Sequence, residues 1–193
     1  MTSTSNPAHT AGTGRRNAWI LLGILPALAW SLAQAQETGL QPGQPAPPFT
    51  LQTLDGKQQL HSEDWFKTRP LTILILWDSY CPDCLRAVIA CGTFATRADS
   101  LGADLLSINF DHEFMPGVYA FVKKEALPFP VLWDADQQVA RAYRAEKYDF
   151  SLFLVDREGV FRQVHYDHPP SVPAYLDSVL SRIIPTLAAP DSG

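Results

Sequence analysis

The apolar positions along this chain change period from block to block, and each period predicts an element. Leu71-Thr72-Ile73-Leu74-Ile75-Leu76 is a continuous aliphatic run entered from Pro70, the pattern of a strand buried on both faces. Behind it the period becomes helical: Leu85, Val88, Ile89 and Phe94 recur at roughly helical spacing, with Arg86 and Arg97 left for solvent. Ala103 to Phe110 reads as a second strand, Val118 to Ala126 as a helix, Pro128 to Trp133 as extended chain and Gln137 to Tyr143 as a short helix. Ser151–Val155 and Val160–Tyr166 flank the turn Asp156-Arg157-Glu158-Gly159 and predict a hairpin. A last helix is expected over Val172 to Ile184, with Leu176, Val179, Leu180 and Ile183 inward. Ahead of these, Phe49-Thr50-Leu51 and the turn Leu54-Asp55-Gly56-Lys57 predict an N-terminal hairpin, followed by a short capped helix at Ser62–Phe66. The order β-α-β-α-β-β-α after that hairpin predicts an α/β domain: one mixed central sheet, parallel inside with an antiparallel edge, and helices on both faces.

The first residues carry a different pattern. Arg15-Arg16, the apolar stretch Ala18 to Ala33 and the small-x-small site Ala33-Gln34-Ala35 predict a secretory signal peptide over residues 1–35. An uncleaved segment would instead serve as an N-terminal membrane anchor, although it is short and holds Pro26. Residues 36–48 read as a Pro-rich linker, 49–184 as the folded domain and 185–193 as a loose tail. The chain is 46% apolar and 18% charged, with a net charge of −5. Removing residues 1–35 takes away two arginines and no acidic residue, so the mature body carries −7. An acidic body without a basic run argues against nucleic acid as a partner.

Candidate chemistry gathers where the buried strand meets the next helix, in Trp77-Asp78-Ser79-Tyr80-Cys81-Pro82-Asp83-Cys84. Cys81 falls near the helix N-cap, and Pro82 at an early helical position that tolerates proline. Free amides and the dipole at a helix N-terminus favour the thiolate, the reactive form of cysteine. Cys84 lies one turn on, within reach to resolve a mixed disulfide. Asp78 and Asp83 oppose that thiolate: a like charge about 5–6 Å away costs on the order of 3 kcal/mol at an effective dielectric near 20, comparable with the helix effect. Asp83 also reads as an acid that simply serves the helix dipole. Two other readings of the pair are half a zinc site, for which no second pair or closely following histidine stands in the sequence, and an inert structural disulfide, which over so short a loop constrains the unfolded chain little. Cys91, seven residues after Cys84, reads as a buried small apolar residue.

With Cys-Pro-Asp-Cys between strand and helix, the sequence resembles the thioredoxin fold, and within it the periplasmic TlpA/ResA-type thiol–disulfide oxidoreductases. The resemblance is carried by Pro42 to Leu51 with Leu54-Asp55-Gly56, by Trp77 to Cys84, by Leu127 to Leu132 and by Phe153 to Gly159, and it covers roughly residues 42–184. It implies that Cys81 attacks and Cys84 resolves, that Trp77 and Tyr80 frame the motif, and that the redox-active disulfide Cys81–Cys84 is the working group, with no metal or other cofactor. It also implies an extracytoplasmic location, a protein dithiol or disulfide as substrate, a membrane electron donor for re-reduction, and cytochrome c maturation among the clients. The sequence departs from the family at two places. The family has a cis-proline before its Phe-Leu-Ile-Asp strand; here Phe150 falls at that position, and no proline occurs between Pro130 and Pro169. A trans loop is therefore expected, with the Phe150 ring lying over the cysteines and covering part of the substrate surface. The family's acidic residue and proline after the resolving cysteine are replaced by Ala87, Val88 and Ile89.

Other functions on the same fold compete. A Sco-like copper module uses two cysteines with three residues between them and a histidine before the later strand; here two residues intervene, and no histidine occurs between His112 and His165. Peroxiredoxins place a threonine where Asp78 stands. A thioredoxin-fold binding domain with weak redox activity is the remaining alternative.

Overall fold

Leu71–Trp77 forms β3, and all seven of its residues are buried. The computed structural model describes residues 39–113 and 116–188. The expected signal segment lies outside the described residues. The elements run β1 (Thr50–Thr53), β2 (Gln59–His61), α1 (Ser62–Phe66), β3, α2 (Pro82–Ser100), β4 (Ala103–Asn109), α3 (Pro116–Glu125), β5 (Val131–Trp133), α4 (Gln138–Ala142), β6 (Phe150–Asp156), β7 (Phe161–Tyr166) and α5 (Val172–Ala188). Seven strands make one sheet in the order β2-β1-β5-β4-β3-β6-β7. β3 pairs in parallel with β4 and antiparallel with β6, so both strands flanking the site element are themselves interior.

Because side chains alternate across a strand, β3 feeds two cores. Leu71, Ile73, Ile75 and Trp77 face one, where α2, α3 and α5 supply Cys84, Val88, Cys91, Val118, Leu176 and Leu180. Leu74 and Leu76 face the other, with Phe66 of α1, Val139 of α4, Tyr143 and Phe153. The mixed sheet with helices on both faces is the architecture the sequence pattern predicts. The buried stripe of α2 is Cys84, Ala87, Val88, Cys91, Phe94 and Ala98, while Leu85 and Ile89 are half-buried at its margin. Small residues hold the centre of this stripe, which lets the helix lie close on the sheet.

Three expectations change. Ser62 does not cap α1; its buried hydroxyl accepts the Phe49 amide at 2.9 Å and ties the two ends of the first hairpin together. The described part of the Pro-rich stretch does not hang free. Gly43 and Ala46 donate to the Phe161 and Gly159 carbonyls, Phe161 donates to the Gln44 carbonyl, and Pro45 forms a β-bridge with Val160. Finally, α5 continues through Pro185 to Ala188. A proline in a last turn sacrifices one intrahelical bond without ending the helix there.

Candidate active site

The Trp77 side chain is fixed before the chain reaches the cysteines. Its Nε1 donates to Ser107 Oγ at 2.7 Å and its ring meets Phe121 edge-on at 5.9 Å. Its carbonyl accepts from the Phe110 amide at 3.1 Å and from Asn109 Nδ2 at 3.3 Å, locking the end of β3 to the end of β4. From there four residues lead to α2. The Asp78 amide donates to the Asp149 carbonyl at 3.0 Å. The Asp78 carboxylate accepts the Tyr80 amide at 3.0 Å, a local turn of the kind aspartate favours. Ser79 donates through both its amide (3.0 Å) and its hydroxyl (2.6 Å) to the two oxygens of Asp111.

Cys81 is the N-cap of α2, extended at φ −97° and ψ 109°, with Pro82 opening the helix behind it. The Cys84 amide points at Cys81 Sγ, 3.1 Å away. The two cysteines are joined as a disulfide, with Cα atoms 5.2 Å apart. They differ in access: Cys81 is half-buried, while Cys84 is fully buried beneath the helix in the core that holds Trp77 and Phe150. Tyr80 is 70% exposed beside the pair, a large ring that packs against nothing in the core.

The carboxylates divide by role. Asp83 forms an exposed ion pair with Arg86 on the first turn of α2, so its charge is balanced there. Asp111 is 2% exposed and both its oxygens serve Ser79. Asp78 is half-buried, and burial first, then the negative charge of Asp149, raises its carboxyl above the usual range. Asp149 is exposed, and its carboxylate together with the two cysteine sulfurs fits within 4.8 Å. No histidine joins that group among the described residues.

Of the residues singled out from sequence, Trp77, Asp78, Tyr80, Cys81, Pro82, Asp83 and Cys84 occupy this one junction. Phe150 requires a correction. It is the first residue of β6, pairs with Trp77 and is wholly buried, so its ring packs under the cysteines rather than over them. The group that the loop presents to the sulfurs is the preceding residue, Asp149. Without a proline the strand pairing simply continues: the Phe150 ring follows the inward side of the pleat and the ladder extends to the bond between Asp78 and Asp149. Sequence reading missed Asp149, Asp111 and Ser79. A polar residue just outside a strand was the available signal, but periodicity does not say which loops meet.

The AhpC/TSA family model matches residues 42–164. ResA, a thiol–disulfide oxidoreductase of Bacillus subtilis, is 28% identical over 143 residues, covering 72% of this chain and 77% of its own. DsbE, a thiol:disulfide interchange protein of Escherichia coli, is 26% identical over 157 residues, with 76% and 80% covered. A secreted disulfide oxidoreductase of Mycobacterium tuberculosis superposes with a TM-score of 0.57 at 18% identity, over 69% of this chain and 95% of that one, a likeness of thioredoxin-like fold. With a cysteine pair set between β3 and α2 on that fold, the chain belongs to the AhpC/TSA family, as a thiol–disulfide oxidoreductase of the TlpA/ResA type.

Proposed function

We propose that this enzyme reduces protein disulfides outside the cytoplasm through Cys81-Pro82-Asp83-Cys84. The observation that carries the reading is the asymmetry of the pair: an accessible sulfur at a helix N-cap, a buried partner one turn behind, and the carboxylates of Asp78 and Asp149 nearby. Cys81 attacks a client disulfide, the client's first sulfur leaves, and Cys84 resolves the mixed disulfide. The helix N-terminus favours the Cys81 thiolate, whereas the nearby carboxylates oppose it. A couple whose reduced form is stabilised is an oxidant, so carboxylates that destabilise the reduced pair move it toward donating electrons. A reductant in an oxidising compartment needs re-reduction, which assigns a membrane electron donor as its second partner. Exported thiol proteins, apocytochromes c among them, are its clients. Among the described residues no helix is long and apolar enough to cross a membrane, so an anchor, if retained, would come from the expected N-terminal segment. On the copper reading, the third group beside the two sulfurs among the described residues is the Asp149 carboxylate rather than a histidine.

Equilibrium titration of the Cys81–Cys84 pair against glutathione and dithiothreitol tests the direction. The expected potential lies in the range of thioredoxin and glutaredoxins, about −200 to −270 mV. A value near that of DsbA, about −120 mV, would make the protein an oxidant and sink the proposal. Limiting alkylation of the reduced protein should label Cys81 first; labelling of Cys84 first would reverse the two roles.

A further inference from the structure

Cys84 sits in a surrounding that opposes its own chemistry. It is fully buried among Ala87, Val88, Trp77 and Phe150, and burial in apolar surroundings favours the neutral thiol. To resolve a mixed disulfide it must become a thiolate. The helix amide that could favour a charge points at Cys81, not Cys84. Asp83 is engaged by Arg86, and Asp111 by Ser79. The Asp78 carboxylate is turned to the Tyr80 amide. Asp149 is exposed, its backbone is held by the Asp78 amide, and its carboxylate lies within 4.8 Å of Cys84 Sγ. A single water can bridge two groups at such a separation.

We propose that Asp149 is the proton acceptor for Cys84. The assignment rests on the exchange chemistry proposed above and adds the residue that moves its proton. In the first step the Cys81 thiolate attacks one client sulfur, that bond forms, and the other client sulfur departs as a thiolate. In the second step Asp149 takes the proton from Cys84 Sγ. The Cys84 thiolate then attacks Cys81 Sγ, the bond between Cys81 and the client breaks, and the departing client sulfur receives the proton from Asp149. The pair gives up two electrons as its disulfide forms, and the client disulfide is reduced to one thiol and one thiolate, the thiolate taking from solvent the proton that Cys81 released there on ionising. The charged group that the structure sets against Asp149 is Asp78 from the loop after β3, whose carboxyl feels the negative charges of both Asp149 and Asp111.

The proposal has a sign that a purely electrostatic Asp149 would not share. As a fixed negative charge, Asp149 would hinder both thiolates, and Asp149→Asn would speed both halves of the exchange. As proton acceptor it would be needed for the second half. Reduced protein mixed with an aromatic disulfide such as 5,5′-dithiobis(2-nitrobenzoate) releases one coloured thiolate when Cys81 reacts and a second when Cys84 resolves. The expected result for Asp149→Asn is a first release as fast as or faster than wild type. The second release should be slowed about tenfold or more at pH 7, and its rate should rise with hydroxide over a range where wild type is flat. Asp149→Glu should restore most of the second rate. A second release as fast as or faster than wild type in Asp149→Asn would overturn the assignment. A wild type that never releases the second thiolate would retire the exchange reading itself, a different failure seen before any variant is made. Buried Cys91 reports folding in the same trace, since a third equivalent appears only from unfolded chains.

Discussion

Cys91 and Cys84 occupy the same buried stripe of α2, but of the two only Cys84 lies beside Cys81 and the Asp149 carboxylate. Burial pushes the Cys91 thiol up to about 12, which leaves it without thiolate at neutral pH. Cys91→Ala should therefore keep disulfide reductase activity within about twofold and cost about 1 kcal/mol of stability, read from urea midpoints. Loss of activity in a folded variant would show that Cys91 takes part in exchange. Asp78 gives a pH-dependent test at the same scale. Its carboxyl is raised above the ordinary 3.8 in the fold, so folding favours its protonated form. That contribution is complete below the unfolded value and is lost as pH rises through the folded one. Asp78→Asn, which keeps an oxygen for the Tyr80 amide, should be more stable than wild type at pH 7, with the difference shrinking toward pH 4. A constant difference across that range would mean that the effect is not one of charge.

At the scale of the element, the start of β6 decides what the site looks like. Phe150 falls where the resemblance calls for a cis-proline, and the structure uses it as a core residue paired with Trp77. A ring buried this deeply gates nothing. Phe150→Ala should cost about 3–5 kcal/mol through the cavity it leaves. Phe150→Pro should likewise destabilise, through loss of the buried ring, without raising insulin reduction. A folded Phe150→Pro with faster insulin reduction would restore the gating idea that the sequence suggested. The adjoining element shows why position along the strand matters so much. The pleat sends Phe150 into the core and leaves Asp149 at the sulfurs, so a one-residue shift exchanges an apolar cover for a carboxylate.

For the whole molecule, the Pro-rich stretch before β1 belongs to the fold. Besides its three backbone hydrogen bonds to the β6–β7 hairpin, the Pro47 carbonyl accepts from Tyr143 Oη at 2.9 Å. Tyr143 is a fully buried ring that meets Phe49, Phe153 and Phe161. With each of these four hydrogen bonds contributing on the order of 1 kcal/mol, a chain beginning at Phe49 should be less stable than one beginning at Gly39 by about 4 kcal/mol. Equal urea midpoints for the two chains would show that the stretch adds nothing to the domain.

What the sequence determined by itself is what depends on local pattern. The aliphatic run of β3 and the apolar spacing of α2 placed Cys81 at a strand-to-helix junction, because periodicity and an early proline are written along the chain. The same patterns made the sheet mixed and covered on both faces. What the tertiary structure alone decided is what depends on distant segments meeting. Ser79 finds Asp111 thirty-two residues away, and Asp149 reaches the sulfurs only because β6 lies antiparallel to β3 in one register. No period in either segment records that register; it is set by which rings fill the shared core, and Phe150 filling its place against Trp77 is what leaves Asp149 beside the disulfide.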